Sequence, residues 1–416
     1  MAAKGGNTTT RHFSDSPGTG RVFEGDRVLW IIFSFLLVIS VLVVYSSTAK
    51  MTYSASSSMS LFEALQKQVM YVMGAIMVIF VVHKIPYNLY CKWAFWLYVV
   101  CLGATIAAYF VGVKTNDASR WLKVGPVQFQ PSELLKISTI LLLARVMQSR
   151  QKIIRTLRII PNIAKLKDPK EREILLYNTL PLLGPVVVSC AAILPAHTSS
   201  AAIVFIISIL MLYLGGVRLG EIGKFILVVA LIGSMLVGVM ELCGGGRMSV
   251  AKTRIEGWYN EWFGQTTATN VHEISDTQRA LIAIHEGGVI GQGAGQSSSR
   301  VLVTHPESDY VYAFFISEYG VIFGILLMLL YLWIFFRTMR IGGNCSTPFP
   351  MLMTYGLGLM ITGQALLHMA VQVNLFPETG QPLPFVARGG SSLLISTVAL
   401  GMIIGVSRMN QIRDRK

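Results

Sequence analysis

The chain has 416 residues, of which 53% are hydrophobic and 13% are charged, and its formal net charge is +14. Because a soluble globular protein is about 25% charged, this composition excludes intrinsic disorder and leaves too few polar residues to cover a water-soluble enzyme. The five cysteines form no C-x-x-C pair, so neither a disulfide framework nor a thiolate metal site is expected.

Apolar runs that approach the length of a membrane-crossing helix, about 20 residues, recur along the chain. They predict an all-α integral membrane protein with ten transmembrane helices. In chain order the runs cover residues 28–49, 68–83, 93–113, 131–147, 174–194, 196–217, 225–240, 309–336, 350–373 and 389–407. Pro181 and Pro185 predict a kink in the fifth run, which is tolerated where neighbours satisfy the freed carbonyl groups. Residues 28–408 are thus a membrane domain between a disordered tail, 1–27, and a short tail, 409–416.

The distribution of lysine and arginine predicts the orientation of the helices. With ten crossings both termini lie on one side, and that side carries 23 of the 35 basic residues, against 11 on the other. Both termini are therefore predicted to be cytoplasmic, in a multi-pass protein of the cytoplasmic membrane. The positive net charge follows mostly from this asymmetry and not from nucleic-acid binding. The nine basic residues of the 145–172 loop also suit anionic lipid headgroups.

Three extracytoplasmic segments carry the polar motifs of the chain. Residues 241–308, between the seventh and eighth helices, are rich in Gly, Ser, Thr and His and are predicted to be a large extracytoplasmic loop. Loops of this length are usually functional or disordered. The other two segments are residues 115–132 and 374–392.

The first motif, NDASRWLKVGPVQFQPSELLK at residues 116–136, ends on a charged helix start. Pro131 suits the first helical position, Glu133 then lies in the first turn, where the helix dipole favours an anion, and Lys136 lies on the same face. A charge inside a membrane span costs about 2.5–3.5 kcal/mol, so both side chains need partners or a water-filled cavity. An ion pair that only fixes this helix is the alternative interpretation.

The second motif, GGVIGQGAGQSSSRVLVTHPESDYVYAFFISEYG at residues 287–320, joins a flexible glycine-rich stretch to the eighth run. It lacks the G-K-[ST] of a P-loop and follows no predicted strand, so a nucleotide site is not expected. Asp309 lies at the mouth of the predicted helix, where partial desolvation suits a carboxylate to act as a general base. Glu318 lies about 13 Å further along the same helix. A helix N-cap is the alternative role for Asp309.

The third motif covers residues 364–392. Gln364, His368 and Gln372 recur every four residues in an apolar span and form one polar stripe, which should face the bundle interior or a cavity. A proline-rich loop follows. Arg388 and the free N–H groups at the start of the last helix are suited to bind a phosphate group, together with Ser391 and Ser392. A re-entrant loop that only packs is the alternative.

At these residues the sequence resembles the SEDS family (shape, elongation, division and sporulation), the FtsW/RodA/SpoVE group. RWLKVGPVQFQPSELLK is similar to the family's RW-x-x-x-G-x-x-x-FQPSE-x-x-K. PESDYVYAFFISEYG resembles its aspartate-containing loop and following glutamate, and PLPFVARGGSSL is similar to its PxPFxSYGGSS signature. The three motifs occur in order, and the likeness covers nearly all of residues 28–408.

The resemblance implies a peptidoglycan glycosyltransferase that polymerises lipid II, a disaccharide-peptide on a lipid pyrophosphate, at the outer face of the cytoplasmic membrane. It implies Asp309 as the catalytic general base. The implied partners are a class B penicillin-binding protein transpeptidase and divisome proteins, and no nucleic acid. The sequence shows no cofactor or metal site, although a divalent cation could assist at the pyrophosphate. The residues expected to bind substrate or support the site are Arg120, Glu133, Lys136, Glu318, His368, Arg388, Ser391 and Ser392.

Two positions depart from the family pattern. Arg388 stands where many members have tyrosine, and Thr379 stands where many division-type members have lysine. PETGQPLPF resembles the elongation-type loop, whereas the opening GDRVLWIIF is more similar to division-type proteins. We expect the division-type paralogue, at the septum, with the elongation type as the alternative. A lipid II flippase without polymerase activity and a transpeptidase scaffold are further alternatives, and neither requires the Asp309 carboxylate.

Overall fold

The fold is a bundle of helices with one small sheet, seen in a computed structural model. The residues described are 23–48, 61–115, 118–124, 127–152, 154, 158, 160, 168–195, 197–242, 246–263, 275–297 and 306–415. Most of the predicted N-terminal tail and parts of the 145–172 and 241–308 segments lie outside these ranges.

Fourteen helices occur in the described part of the chain. They are α1 (Arg27–Thr48), α2 (Leu61–Val82), α3 (Tyr87–Val111), α4 (Pro131–Ser149), α5 (Pro169–Ile174), α6 (Leu180–Ile193), α7 (Thr198–Leu214), α8 (Leu219–Leu242), α9 (Gly246–Phe263), α10 (Asp276–Gly287), α11 (Val311–Tyr319), α12 (Val321–Gly343), α13 (Pro348–Gln372) and α14 (Gly390–Asp414). A π-helical turn, Leu175–Thr179, joins α5 to α6, so that the two continue as one segment.

Among the described residues, seven segments are long and apolar enough to cross a membrane: α1, α2, α3, the continuous segment Pro169–Ile193, α12, α13 and α14. The prediction of a mostly helical membrane protein is therefore confirmed. Helices α4, α7 and α8 occupy the other three predicted runs. Of these, α7 is apolar but shorter than the seven, with 17 residues. The count of ten crossings stays a prediction.

In the fifth run the π-helical turn ends two residues before Pro181. The kink expected at Pro181 and Pro185 stays a prediction. Proline has no N–H to donate, and its ring crowds the carbonyl four residues earlier, which belongs to Tyr177. The guanidinium of Arg150, at the end of α4, donates to that Tyr177 carbonyl through Nε over 3.2 Å. A neighbouring side chain thus satisfies the carbonyl that the proline leaves without a helical partner.

A three-stranded antiparallel sheet lies between α3 and α4, where the sequence analysis expected only helices and loops. Its strands are β1 (Val113–Thr115), β2 (Ala118–Val124) and β3 (Val127–Phe129), in the order β1-β2-β3. Val124 pairs with Val127, so only the two residues 125 and 126, a Gly-Pro pair in the sequence, connect β2 to β3. The Gly-Pro pair between short runs that contain valine and aromatic residues was the available signal.

The 241–308 segment is not simply a loop, because α9 and α10 lie within it. Helix α10 begins with a capping box, in which the Ser275 side chain accepts from the Gln278 N–H and the Gln278 side chain accepts from the Ser275 N–H. Ala280 and Ala283 of α10 pack with Tyr310 and Ala313 at the start of α11. The helix therefore forms part of the same packed unit as the aspartate motif.

Helices α4, α13 and α14 lie at the centre of the bundle. Most of their side chains are buried, whereas few of the side chains of α2 and α3 are. Helix α4 packs against α3, α6, α7 and α13, and α13 packs in turn against α12 and α14. Two of the three motifs, the charged start of α4 and the polar stripe of α13, are therefore carried on neighbouring central helices.

The prediction of one continuous helix over residues 309–336 is wrong. Residues 306–310 form turns, α11 ends at Tyr319, and α12 begins at Val321. Gly320 between them has φ +89°, a backbone conformation that a side chain strains. Apolar helical residues resume directly after the break, so hydrophobicity alone does not separate the two helices.

The glycine-rich segment binds to this break through its backbone. The N–H of Val321 donates to the Gly288 carbonyl over 3.0 Å, and the N–H of Gly293 donates to the Glu318 carbonyl over 3.0 Å. A Cβ on Gly320 would lie 2.3 Å from the Val289 carbonyl oxygen. The segment that the sequence predicts to be flexible is thus docked against the α11–α12 junction, and glycine permits the close approach.

We predict that Gly320→Ala destabilises the protein by about 1–3 kcal/mol or more, because it adds a side chain at positive φ and a contact with backbone. Gly103→Ala in α3 is the matched control, since a Cβ there meets nothing within 4 Å. Alanine is favoured over glycine in a helix by about 1 kcal/mol, so the control should not destabilise. Thermal unfolding in detergent measures both, and equal midpoints for the two variants would contradict the account of the break.

Candidate functional site

The polar stripe of α13 lies inside the protein and not against lipid. Gln364, His368 and Gln372 are at most 3% exposed. Gln364 Nε2 donates to the Pro382 carbonyl over 3.3 Å, and His368 Nδ1 lies 2.7 Å from the Gln381 carbonyl. The loop that follows α13 therefore folds back along the polar face of that helix, in the manner of a re-entrant segment.

A side chain of this loop also contacts α7. Gln381 is 1% exposed, and its Nε2 donates to Ser200 Oγ over 2.7 Å at the start of α7. The loop is consequently held on two sides, by α13 through its carbonyl groups and by α7 through the Gln381 amide. This fixes the course of the chain between α13 and the start of α14.

The charged pair at the start of α4 is buried. Lys136 Nζ lies 2.8 Å from Glu133 Oε1, and the two side chains are 1% and 9% exposed. The ammonium group also donates to Gln364 Oε1 over 3.3 Å. The pair therefore continues into the polar stripe of α13, and the spacing of three residues on one helix face produces the contact.

Glu318 lies at the end of α11, 1% exposed. Its Oε1 accepts a hydrogen bond from Ser46 Oγ over 2.6 Å and another from the Gly295 N–H over 3.0 Å. The carboxylate thus connects the end of α1 to the glycine-rich segment. These contacts give it a structural role at the break between α11 and α12.

Asp309 is exposed and lies in the turn before α11. The helix begins two residues later, at Val311, and the expected partial desolvation of the carboxylate stays a prediction. Tyr310 occupies the N-cap position, so the alternative role of Asp309 as an N-cap is wrong. The Asp309 carbonyl accepts from Gln372 Nε2 over 3.2 Å. The carboxylate is accessible to a substrate, while its own peptide is bound to α13.

A carboxylate that the sequence analysis missed, Glu378, contacts Tyr310, the residue after Asp309. Glu378 Oε1 accepts from the Tyr310 hydroxyl and from Thr277 Oγ1, each over 2.9 Å. Burial, and then the negative charge of Glu378, raise the pKa of Tyr310 well above its usual value, so the hydroxyl remains a donor. The cluster joins α10, α11 and the loop after α13. Glu378 is the only charged residue from 374 to 387, which was the available signal.

Arg388 lies directly before α14, and its guanidinium Nη1 is 3.6 Å from Glu307 Oε1. Its backbone N–H also donates to the Glu307 carbonyl over 2.7 Å. Ser391 and Ser392 are buried in the first turn of α14, and among the described residues Ser392 Oγ has no hydrogen-bond partner. The sequence analysis did not predict Glu307 at this site. A phosphate bound at this helix start would compete with the Glu307 carboxylate for the Arg388 guanidinium.

Arg120 lies in β2, in the sheet that leads into α4. Its side chain is outside the part of the chain that is described, so its expected supporting role stays a prediction.

The arrangement as a whole places an exposed carboxylate, Asp309, in the turn before α11. A buried polar network lies behind that turn, and the residue before α14 carries a guanidinium.

Comparison with known proteins gives the following similarities. The model of the FtsW/RodA/SpoVE family, described as "Cell cycle protein", matches residues 26–412. Stage V sporulation protein E of Bacillus subtilis is 27% identical over 391 residues, which cover 93% of this chain and 98% of that protein. A protein named "Probable peptidoglycan glycosyltransferase FtsW" from Hydrogenovibrio crunogenus is 28% identical over 372 residues, covering 86% of this chain and 88% of that protein.

Solved structures show the same fold. A chain from a structure titled "Structural coordination of polymerization and crosslinking by a peptidoglycan synthase complex" aligns with a TM-score of 0.64 at 18% identity, covering 93% of this chain and 98% of its own. The rod shape determining protein RodA of Thermus thermophilus aligns with a TM-score of 0.58 at 19% identity, covering 92% and 97%.

We predict that Lys136→Met destabilises the protein by about 3–5 kcal/mol, because it leaves the Glu133 charge buried without its partner. The double variant Glu133→Gln, Lys136→Met removes both charges and should recover part of that loss. Lys224→Met is the matched control. Lys224 pairs with Glu221 at the same spacing over 2.6 Å, but its side chain is 57% exposed, and exposed pairs contribute about 0–1 kcal/mol.

Thermal unfolding of the purified proteins in detergent measures these changes. A midpoint for Lys136→Met equal to that of Lys224→Met would show that the buried pair does not stabilise the site. A double variant as unstable as the sum of its two single variants would show that Glu133 and Lys136 act independently.

Proposed function

We propose that this chain, which belongs to the FtsW/RodA/SpoVE family of cell cycle proteins, is a peptidoglycan glycosyltransferase that polymerises lipid II into glycan strands. The proposal is supported by the family match over residues 26–412 and by relatives named probable peptidoglycan glycosyltransferase FtsW. The single observation that carries the mechanism is the exposed carboxylate of Asp309, on a turn whose backbone is bound to the buried stripe of α13.

In the proposed reaction a sugar hydroxyl of one lipid II molecule attacks the anomeric carbon of a second sugar, which is bonded to a lipid pyrophosphate. Asp309 accepts the hydroxyl proton as the new C–O bond forms. The bond from the anomeric carbon to the pyrophosphate oxygen breaks, and the lipid pyrophosphate leaves with the bonding electron pair. One base is sufficient for this inverting displacement, and cations balance the developing charge on the leaving group.

The position of Asp309 suits this role. The carboxylate is exposed, so a bulky sugar can reach it without prior opening of the bundle. The Gln372 amide tethers the Asp309 carbonyl at 3.2 Å, and Tyr310 is held next to it by Glu378. A base whose backbone is fixed on both sides has less orientational freedom to lose when the substrate binds.

Arg388 is proposed to bind the pyrophosphate of a lipid-linked substrate, together with the N–H groups of residues 389 to 391. Those groups begin α14, and the first N–H groups of a helix have no partners within it and favour an anion. Arg388 lies 3.6 Å from Glu307, a distance longer than a close ion pair. A phosphate oxygen can therefore replace the Glu307 carboxylate as the guanidinium partner.

The same proposal includes the cellular setting. Both termini are cytoplasmic, and Asp309 works at the outer face of the cytoplasmic membrane during septal wall synthesis. The excess of basic residues on the terminal side and the similarity to proteins named FtsW support this setting. A class B penicillin-binding protein is the proposed partner, supported by the fold shared with a chain of a peptidoglycan synthase complex. Divisome proteins are proposed as further partners.

We predict that Asp309→Asn lowers glycan polymerisation by about 10²- to 10⁴-fold, which is the usual contribution of a general base. The purified complex with the cognate transpeptidase is given lipid II, and glycan product is measured. The amide has the same shape, so folded yield and transpeptidase binding should be unchanged. Glu286→Gln, an exposed carboxylate on the neighbouring helix α10, is the control and should retain the wild-type rate.

A wild-type rate for Asp309→Asn would remove the assignment of the base. The flippase or the scaffold would then describe the protein better, because neither function requires a carboxylate at this turn.

We predict that Arg388→Gln weakens lipid II binding by about 10- to 100-fold, because a hydrogen bond to a charged group contributes about 1.5–3 kcal/mol. Arg388→Lys retains the charge and should lose less. Glu307→Gln frees the guanidinium and should bind lipid II at least as tightly as the wild type. An equal loss of affinity in Glu307→Gln and Arg388→Gln would show that the Arg388–Glu307 pair has only a structural role.

A further inference from the structure

The stripe residues nearest to Asp309 form a chain of hydrogen bonds that ends on the backbone of that residue. Gln372 is fully buried at the end of α13. Its Nε2 donates to the Asp309 carbonyl over 3.2 Å, and its Oε1 accepts from the Ala313 N–H. One side-chain amide therefore binds a carbonyl just before α11 and an N–H in the first turn of α11.

The orientation of this amide is determined by its two backbone partners. A carbonyl can only accept and a backbone N–H can only donate. Gln372 Oε1 must therefore face Ala313, and Gln372 Nε2 must face Asp309. If the amide were rotated by half a turn, it would place oxygen against oxygen and N–H against N–H, and both hydrogen bonds would be lost.

His368 holds the amide in that orientation. Its Nε2 contacts Gln372 Nε2, one turn further along α13, and its Nδ1 lies 2.7 Å from the Gln381 carbonyl. Because the carbonyl of Gln381 can only accept, Nδ1 carries the proton, and the unprotonated Nε2 accepts the second hydrogen of the Gln372 amide. The imidazole is 2% exposed, so water does not substitute for either partner.

We infer that Gln372 is a positioning residue for Asp309 and that His368 sets the orientation of its amide. The inference rests on the proposed role of Asp309 as the base. Gln372 does not touch the substrate. It fixes the peptide on which the exposed carboxylate stands, and the carbonyl of Gln381 connects this chain to the loop that leads to Arg388. The proposed base and the proposed phosphate site are thereby held in one network.

The test is the rate of polymerisation by Gln372→Met in the purified complex with the cognate transpeptidase. Methionine has a similar length but neither donor nor acceptor. We expect kcat to fall about 10- to 100-fold, as for a misplaced catalytic group, while KM for lipid II changes less than about twofold. The control is Thr354→Val in the same helix, whose buried hydroxyl has no hydrogen-bond partner among the described residues. Its kcat should equal that of the wild type.

A second pair of variants keeps the inference falsifiable if Gln372→Met does not fold. Gln372→Glu retains the acceptor for the Ala313 N–H but loses the donor for the Asp309 carbonyl, and its kcat should fall with KM unchanged. His368→Phe keeps an aromatic ring at this position but removes the Nε2 acceptor that orients the Gln372 amide. Its kcat should fall less than that of Gln372→Met. A kcat within twofold of the Thr354→Val control in each variant that folds would overturn the positioning role.

The failure of this inference is distinguishable from the failure of the proposed function. Loss of polymerisation in Asp309→Asn together with a normal kcat in Gln372→Met removes the positioning role and leaves the base in place. A wild-type rate in Asp309→Asn removes the base, and with it the role of Gln372. A fall in kcat for Gln372→Met with a parallel fall in Asp309→Asn supports both.

Discussion

The rest of the structure depends on one constraint: an amide, an imidazole or a charged side chain that is buried among apolar helices is costly unless the protein supplies its partners. The polar stripe of α13 consists of three such side chains, and each one finds a partner outside its own helix or on the stripe itself. Those partners are the Lys136 ammonium, the carbonyl groups of Pro382 and Gln381, and the backbone around Asp309. The hydrogen bonds of the stripe side chains therefore hold the loop after α13 and the turn before α11 in place.

This arrangement explains how an exposed side chain acquires a fixed position. Asp309 is exposed, so a large substrate can reach it, yet its peptide is bound to a helix at the centre of the bundle. The break at Gly320 ends α11 after nine residues, and the glycine-rich segment docks against the break. The aspartate turn is consequently supported from α13, from α10 through Thr277 and Glu378, and from the segment that precedes it.

The helical membrane fold and the family were predictable from the sequence, because apolar runs and three motifs report them directly. The break between α11 and α12 was not, because apolar helical residues resume directly after Gly320 and the pattern of hydrophobic residues does not report its positive φ. The ion pair of Glu133 and Lys136 follows from spacing on one helix. The partners Glu307, Glu378 and the Asp309 carbonyl depend on tertiary contacts between segments far apart in the chain. The sheet before α4 was not predicted because its strands have only three to seven residues, too few for a clear alternating pattern.

The central claim is that the site polymerises its lipid-linked substrate and does not merely move it across the membrane. The most direct measurement uses wild-type protein and its transpeptidase in sealed vesicles, with lipid II supplied only to the leaflet on the Asp309 side. The account predicts glycan strands in these vesicles without any transfer of lipid II to the opposite leaflet. Transfer of lipid II to the opposite leaflet without glycan product would contradict it.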